Sequence, residues 1–294
     1  MNKSQHPLTG HDQLQVQQSL AEQQTHRANF TGSMRAYYDE MTAETPLAAG
    51  MRSEHVSDSG WWLHPQETGT EQVIVFIHGG AYMLGSAQAY RGFASQLAVR
   101  TGYSTFVLDY PLAPEHPFPA APDRVIELLK SLVDSGIEHI ALVGDSAGAA
   151  LSLVALQHPQ LVKKIRAAVL FSPWTDLTFS GASFNDPNTR DPIFQPSILR
   201  DAAAAYLQGT SAEDHRASPL FAQYSLLPPL VIQVGTEELL LDDATRLAAH
   251  FAEQGGEVQL DIYQGMQHVF QRDIRLDAAR HALDTAARFI RQHQ

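Results

Sequence analysis

The sequence predicts an α/β protein built on a mostly parallel central sheet flanked by helices. Three observations lead there. Short apolar, β-branched runs recur along the chain and alternate with helical patterns, as expected of successive β–α units. One run, Val73-Ile74-Val75-Phe76-Ile77, is apolar throughout, which suits a strand buried on both faces, and it leads straight into His78-Gly79-Gly80-Ala81. Another, Ile140-Ala141-Leu142-Val143, leads into Gly144-Asp145-Ser146-Ala147-Gly148 and then a small-residue segment, reading as strand, sharp turn and helix.

The elements follow in chain order. Residues 1–27 are polar and glutamine-rich with weak periodicity, which reads as a frayed tail or a loosely packed helix. Phe30, Met34, Tyr37, Tyr38 and Met41 then recur at helical spacing and mark an amphipathic helix whose bulky face either packs the core or roofs a pocket. Residues 52–56 and 60–63 add antiparallel edge strands. After the strand at 73–77, further strand-like runs fall at 105–108, 139–143, 167–170, 230–234 and 258–262. The stretch from 176 to about 218 lies between two strand signals and carries a helix near Pro196 through Leu207. Its Phe179, Phe184, Phe194 and Tyr206 either line a pocket or pack the segment. The chain of 294 residues suits one domain of this class, and no internal repeat is visible.

The two glycine-bearing turns carry the chemistry. A serine at a sharp strand-to-helix bend needs small neighbours two positions away, and Gly144 and Gly148 supply them. The bend lifts the Ser146 hydroxyl above the sheet edge. It also sets Ser146 at a helix N-terminus, where free N–H groups and the helix dipole favour the negative charge of an acyl-transfer intermediate. The Gly79-Gly80 pair lets backbone N–H groups approach a substrate oxygen, so Gly79 and Gly80, with Ala147, are the candidate oxyanion-hole donors.

With these motifs the chain resembles the bacterial hormone-sensitive-lipase-like family of carboxylesterases, within the α/β-hydrolase fold. The resemblance rests on His78-Gly79-Gly80-Ala81, on Gly144-Asp145-Ser146-Ala147-Gly148, and on the proline-rich connection between them from Asp109 to Ala120. Ala81 and Ala149 stand where the family commonly has a third glycine, and Pro111 where arginine is common. An alanine still offers its N–H. The resemblance implies residues 1–50 as tail and cap helices, and 51–294 as a catalytic domain with a cap insertion at about 176–218.

The catalytic acid and base are expected after the serine, in the order acid then histidine. Behind the strand at 230–234 comes Gly235-Thr236-Glu237-Glu238-Leu239-Leu240-Leu241-Asp242-Asp243, where the resemblance places the acid at Glu238. Glu237, Asp242 and Asp243 remain alternatives, although Asp242 and Asp243 suit the opening of the next helix. Among 14 histidines, the resemblance selects His268, on the loop from Gln264 that follows the last strand. His250 and His281 lie inside helical patterns, and the histidines from His6 to His64 precede the serine. The expected activity is hydrolysis of short to medium acyl esters by Ser146, His268 and Glu238. The same three residues could serve an amidase, deacetylase or lactonase. A ligand-binding receptor of this fold that has lost a catalytic residue is disfavoured, since candidates for all three are present.

A formal net charge of −12 argues against nucleic acid or an anionic membrane as partner. The absence of cysteine excludes disulfides, thiol nucleophiles and thiolate metal sites. No H-E-x-x-H or comparable spacing is present, so neither a metal nor another cofactor is expected. No apolar run approaches the roughly 18 residues of a spanning helix, and no signal-peptide pattern follows Met1, so the expectation is a cytoplasmic protein acting on a small-molecule ester. A homodimer through an edge strand or the cap is an open alternative.

Overall fold

The structure, a computed structural model, describes residues 1–66 and 72–293. Among them the strands form one nine-stranded sheet: β1 (Asn2–His6), β2 (Arg52–Val56), β3 (Gly60–His64), β4 (Gln72–Ile77), β5 (Ser104–Leu108), β6 (His139–Asp145), β7 (Ile165–Phe171), β8 (Leu230–Glu237) and β9 (Val258–Gln267). The spatial order is β1-β9-β8-β7-β6-β4-β5-β3-β2. Only β3 runs against its neighbours, which makes the β2–β3 and β3–β5 pairs antiparallel and every other pair parallel. This is the mostly parallel α/β sheet that the apolar runs predict.

The strand period of two sorts the core into layers. On β4, Val73, Val75 and Ile77 point into one apolar cluster and Ile74 and Phe76 into the other. The first cluster is closed by α4 (Ala120–Asp134), α5 (Ala147–Leu156) and α8 (Leu241–Glu253). The second is closed by α3 (Ala87–Thr101) and α9 (Asp277–Gln292). Local chemistry sets helix ends in the usual way. Ser86 caps α3 by accepting the Ala89 N–H, and Gly102 ends it in the left-handed region at φ 78°.

The N-terminal segment departs from the tail expected of residues 1–27. Residues 2–6 pair in parallel with β9, and α1 (Gly10–Asn29) follows. Polar side chains hold α1 where an apolar stripe is missing. Asp12, 1% exposed, accepts the Asp277 N–H at the start of α9 at 2.7 Å, Ser19 bonds Asp273, and Glu22 pairs with Arg275. Hydrophobic periodicity does not register such anchors. The amphipathic helix is α2 (Met34–Ala43), packed on α3, but Phe30 lies outside it at the end of α1, and Met34 is exposed.

Between β7 and β8 the chain leaves the sheet and forms α6 (Ala182–Asn185) and α7 (Pro196–Leu207). No helix among the described residues is long and apolar enough to cross a membrane.

Candidate active site

Four consecutive parallel strands, β6 to β9, deliver the candidate residues to one edge of the sheet. Ser146 follows β6, Ser172 follows β7, Glu238 follows β8 and His268 follows β9. Strand ends at one edge of a parallel sheet are where α/β proteins assemble their sites.

Ser146 sits between β6 and α5 with φ 52° and ψ −120°, a backbone conformation that non-glycine residues adopt only where the surroundings enforce it. Its N–H donates to Phe171 O at 2.9 Å and its carbonyl accepts the Trp174 N–H at 3.2 Å. The tight bend explains Gly148. A Cβ there would lie 2.0 Å from the Ile77 carbonyl oxygen and 2.5 Å from that of His78.

Glu238 and His268 meet directly. His268 Nδ1 lies 2.9 Å from Glu238 Oε2, with the residues 5% and 0% exposed respectively. The other carboxylate oxygen, Oε1, accepts the Gly235 N–H at 2.7 Å and the Ser172 hydroxyl at 2.9 Å. A carboxylate only accepts, so Nδ1 carries the proton and Nε2 keeps the free lone pair.

The other three carboxylates are turned elsewhere. Asp242 accepts the Ser183 N–H, and Asp243 accepts the N–H groups of Thr175 and Asp176 at 2.7 and 2.9 Å. Burial pushes the Asp243 carboxyl up to about 7, against the lowering effect of those donors. Glu237 is partly exposed at the end of β8.

The oxyanion loop differs from expectation at one atom. The Gly79 N–H, expected to face a substrate oxygen, donates to Asp145 Oδ1 at 2.9 Å. A buried carboxylate one residue before Ser146 thus already holds the Gly79 amide that was expected to be an oxyanion donor. No hydrogen bond occupies the N–H groups of Gly80, Ala81 or Ala147 among the described residues. Gly80 and Ala81 take φ 112° and 53° as the loop turns, and a Cβ on Gly80 would meet Leu84 O at 2.1 Å. Tyr110 steadies the loop by donating its hydroxyl to His78 O at 2.8 Å.

Aromatic side chains surround these residues. Tyr82, next to the oxyanion loop, stacks on Tyr206 of α7 at 3.8 Å and lies 5.7 Å from Trp174. Phe194 presents its ring to His268 at 5.0 Å. Phe179 and Phe184 instead pack against each other at 4.5 Å beneath the Arg200 guanidinium. Asp191 ties the Phe194 segment down, accepting the N–H groups of Ile193 and Phe194 and, through its second oxygen, that of Leu239 beside Glu238.

Sequence reasoning missed Ser172, Asp145 and Asp191 as parts of this arrangement. Ser172 closes a bridge from Glu238 to the residue after His268, since its oxygen also accepts the Val269 N–H at 3.1 Å. The only sequence signal was its place at the end of a strand. Asp145 stood inside the serine motif without an assigned partner.

A family model described as the alpha/beta hydrolase fold matches residues 74–272. An acetyl-hydrolase of Streptomyces hygroscopicus is 36% identical over 235 residues, spanning 78% of this chain and 78% of its own length. An esterase of Acinetobacter venetianus is 36% identical over 230 residues, covering 76% of this chain and 73% of its own. The crystal structure of an esterase from the bacterial hormone-sensitive lipase family matches with a TM-score of 0.88 at 31% identity, over 95% of this chain and 98% of that one. The chain belongs to this bacterial hormone-sensitive-lipase-like family of the α/β-hydrolase fold and is a carboxylic ester hydrolase.

Proposed function

We propose that the protein hydrolyses short to medium acyl esters through Ser146, His268 and Glu238, by way of an acyl-enzyme. The observation that carries this reading is the buried 2.9 Å contact between His268 Nδ1 and Glu238, at the sheet edge where Ser146 holds a strained backbone. His268 Nε2 takes the Ser146 proton as the serine oxygen attacks the ester carbonyl. Glu238 keeps the imidazole in the right tautomer and stabilises its cation. The N–H groups of Gly80, Ala81 and Ala147 receive the oxyanion. Collapse of the tetrahedral intermediate expels the alcohol with the proton carried by His268. Water, deprotonated by the same nitrogen, then releases the acid.

The limit on acyl length rests on the aromatic enclosure. Tyr82, Trp174 and Tyr206 are each at most 1% exposed, and Tyr82 packs on both of the others next to the oxyanion loop, which supports a restricted acyl site. The acetyl-hydrolase name of one relative agrees with a small acyl group. The N-terminal helices and residues 176–218 act as a cap in this reading, with Phe194 set over His268.

The test is hydrolysis of p-nitrophenyl esters from acetate to long acyl chains by the parent and by Ser146→Ala. The expected result is an optimum at short to medium length and a loss of several orders of magnitude in Ser146→Ala. An optimum at long chains, or full activity in the variant, would reject the proposal.

A further inference from the structure

Behind the candidate site lies a line of hydrogen bonds that begins on a cation and ends on the oxyanion loop. Arg272 Nη1 lies 3.4 Å from the Tyr38 hydroxyl and 3.1 Å from Thr42 Oγ1. The Tyr38 and Tyr90 hydroxyls are 2.7 Å apart. Tyr90 donates to Asp145 Oδ2 at 3.0 Å, and Asp145 Oδ1 accepts the Gly79 N–H at 2.9 Å. Tyr90 and Asp145 are fully buried.

With Asp145 ionised, the donors and acceptors along this line have one consistent order. Asp145 as a carboxylate can only accept, so Tyr90 gives it the phenolic proton and must itself accept from Tyr38. Tyr38 in turn accepts from Arg272, which has only donors. Each hydroxyl thus gives once and receives once between a guanidinium and a carboxylate, an arrangement in which successive bonds polarise one another. The same line joins five separate pieces of chain, the oxyanion loop of Gly79 among them. Tyr38 and Thr42 belong to α2, Tyr90 to α3, Asp145 to the serine turn, and Arg272 follows His268 by four residues. Thr45 adds a second tie by donating to Arg272 O at 2.7 Å.

We propose that Tyr38 and Arg272 are positioning residues for the oxyanion hole, acting through Tyr90 and Asp145 on the Gly79 amide. The inference rests on the esterase reading above. Holding Gly79 by its N–H fixes the plane of the peptide that leads into Gly80, and so aims the Gly80 and Ala81 amides. Without the Tyr38 proton, Tyr90 loses a donor and its bond to Asp145 weakens. The loop that must meet the transition state is then less well oriented, while ground-state binding of a small ester is unchanged. The N-terminal segment thereby contributes to turnover through α2, apart from any roofing role.

The experiment compares the parent, Tyr38→Phe, Arg272→Gln and Ser146→Ala, with Tyr37→Phe as a control. Tyr37 sits on the same helix, and its hydroxyl reaches only Gln23 O, at 3.3 Å. For p-nitrophenyl acetate, Tyr38→Phe should lower kcat by about tenfold with KM changed by less than about twofold, a fraction of what loss of one oxyanion donor costs. Inhibition by an alkylboronic acid, which forms a tetrahedral adduct, should weaken by the same factor. Arg272→Gln should act in the same direction, and Tyr37→Phe should match the parent. Tyr38→Phe kinetics equal to those of Tyr37→Phe, or a loss carried by KM, would overturn the proposal while an inactive Ser146→Ala leaves the esterase reading standing. Activity retained in Ser146→Ala would overturn both.

Discussion

Ser172→Ala offers a sharp test of how the acid and base are held. The residue is fully buried, and its hydroxyl bridges Glu238 Oε1 at 2.9 Å and the Val269 N–H at 3.1 Å. Removing it leaves the buried Val269 N–H without a partner, at about 1–3 kcal/mol, and deletes a hydrogen bond to a charged group, at about 1.5–3 kcal/mol. Alanine tolerates the φ of 45° no worse than serine does, so the backbone adds little. The stability loss is then about 2.5–6 kcal/mol, which lowers Tm by roughly 4–10 °C for a chain of this size. Glu238 keeps the Gly235 N–H and His268, so only part of its orientation is lost. If about 1.4–2.7 kcal/mol of that loss reaches the transition state, kcat falls about 10- to 100-fold. KM should stay near the parent value, because Ser172 lies behind the acid and away from substrate. Kinetics on p-nitrophenyl acetate below the melting range, with thermal unfolding in parallel, reads both quantities. A folded Ser172→Ala with kcat within twofold of the parent would refute the reasoning.

Two further outcomes follow from the same geometry. Gly148→Ala forces a Cβ to within 2.0 Å of backbone oxygen, and overpacking of this kind costs about 1–3 kcal/mol or more, so thermal unfolding should show a Tm at least several degrees lower or no folded protein at all. Asp243 governs a pH effect. Its folded value of about 7 lies above the ordinary 3.8, so the stability it contributes is present below about pH 4 and is lost as pH rises through 7. Asp243→Asn, which can still accept from Thr175 and Asp176, should gain in Tm relative to the parent between about pH 5 and pH 8. A constant difference across that range would contradict the assignment.

Much of the architecture was legible because apolar burial writes itself into the sequence. The runs at 73–77, 139–143 and 230–234 are strands of the sheet, and their ends carry Gly79, Ser146 and Glu238. Glu238 and His268 stand 30 residues apart, yet the parallel pairing of β8 and β9 brings them to one edge. Where polar contacts decide the structure, the sequence was silent. The strand at residues 2–6 is held by backbone pairing with β9 and the long α1 by Asp12, Ser19 and Glu22, contacts that leave no periodic signal. The Gly79 amide is taken by Asp145, 66 residues away, a pairing that only the closed sheet reveals. Ser172 was hidden for the same reason, since its two partners come from the turns after β8 and after β9.

The most direct measurement is covalent trapping of the nucleophile. The parent protein would be treated with diethyl p-nitrophenyl phosphate and followed by intact mass, peptide mapping and residual ester hydrolysis. The expected result is one diethylphosphoryl group per chain, located on Ser146, with activity lost in proportion and no labelling of Ser146→Ala. Labelling of another residue, or hydrolysis that survives full modification of Ser146, would contradict the assignment of this serine as the nucleophile.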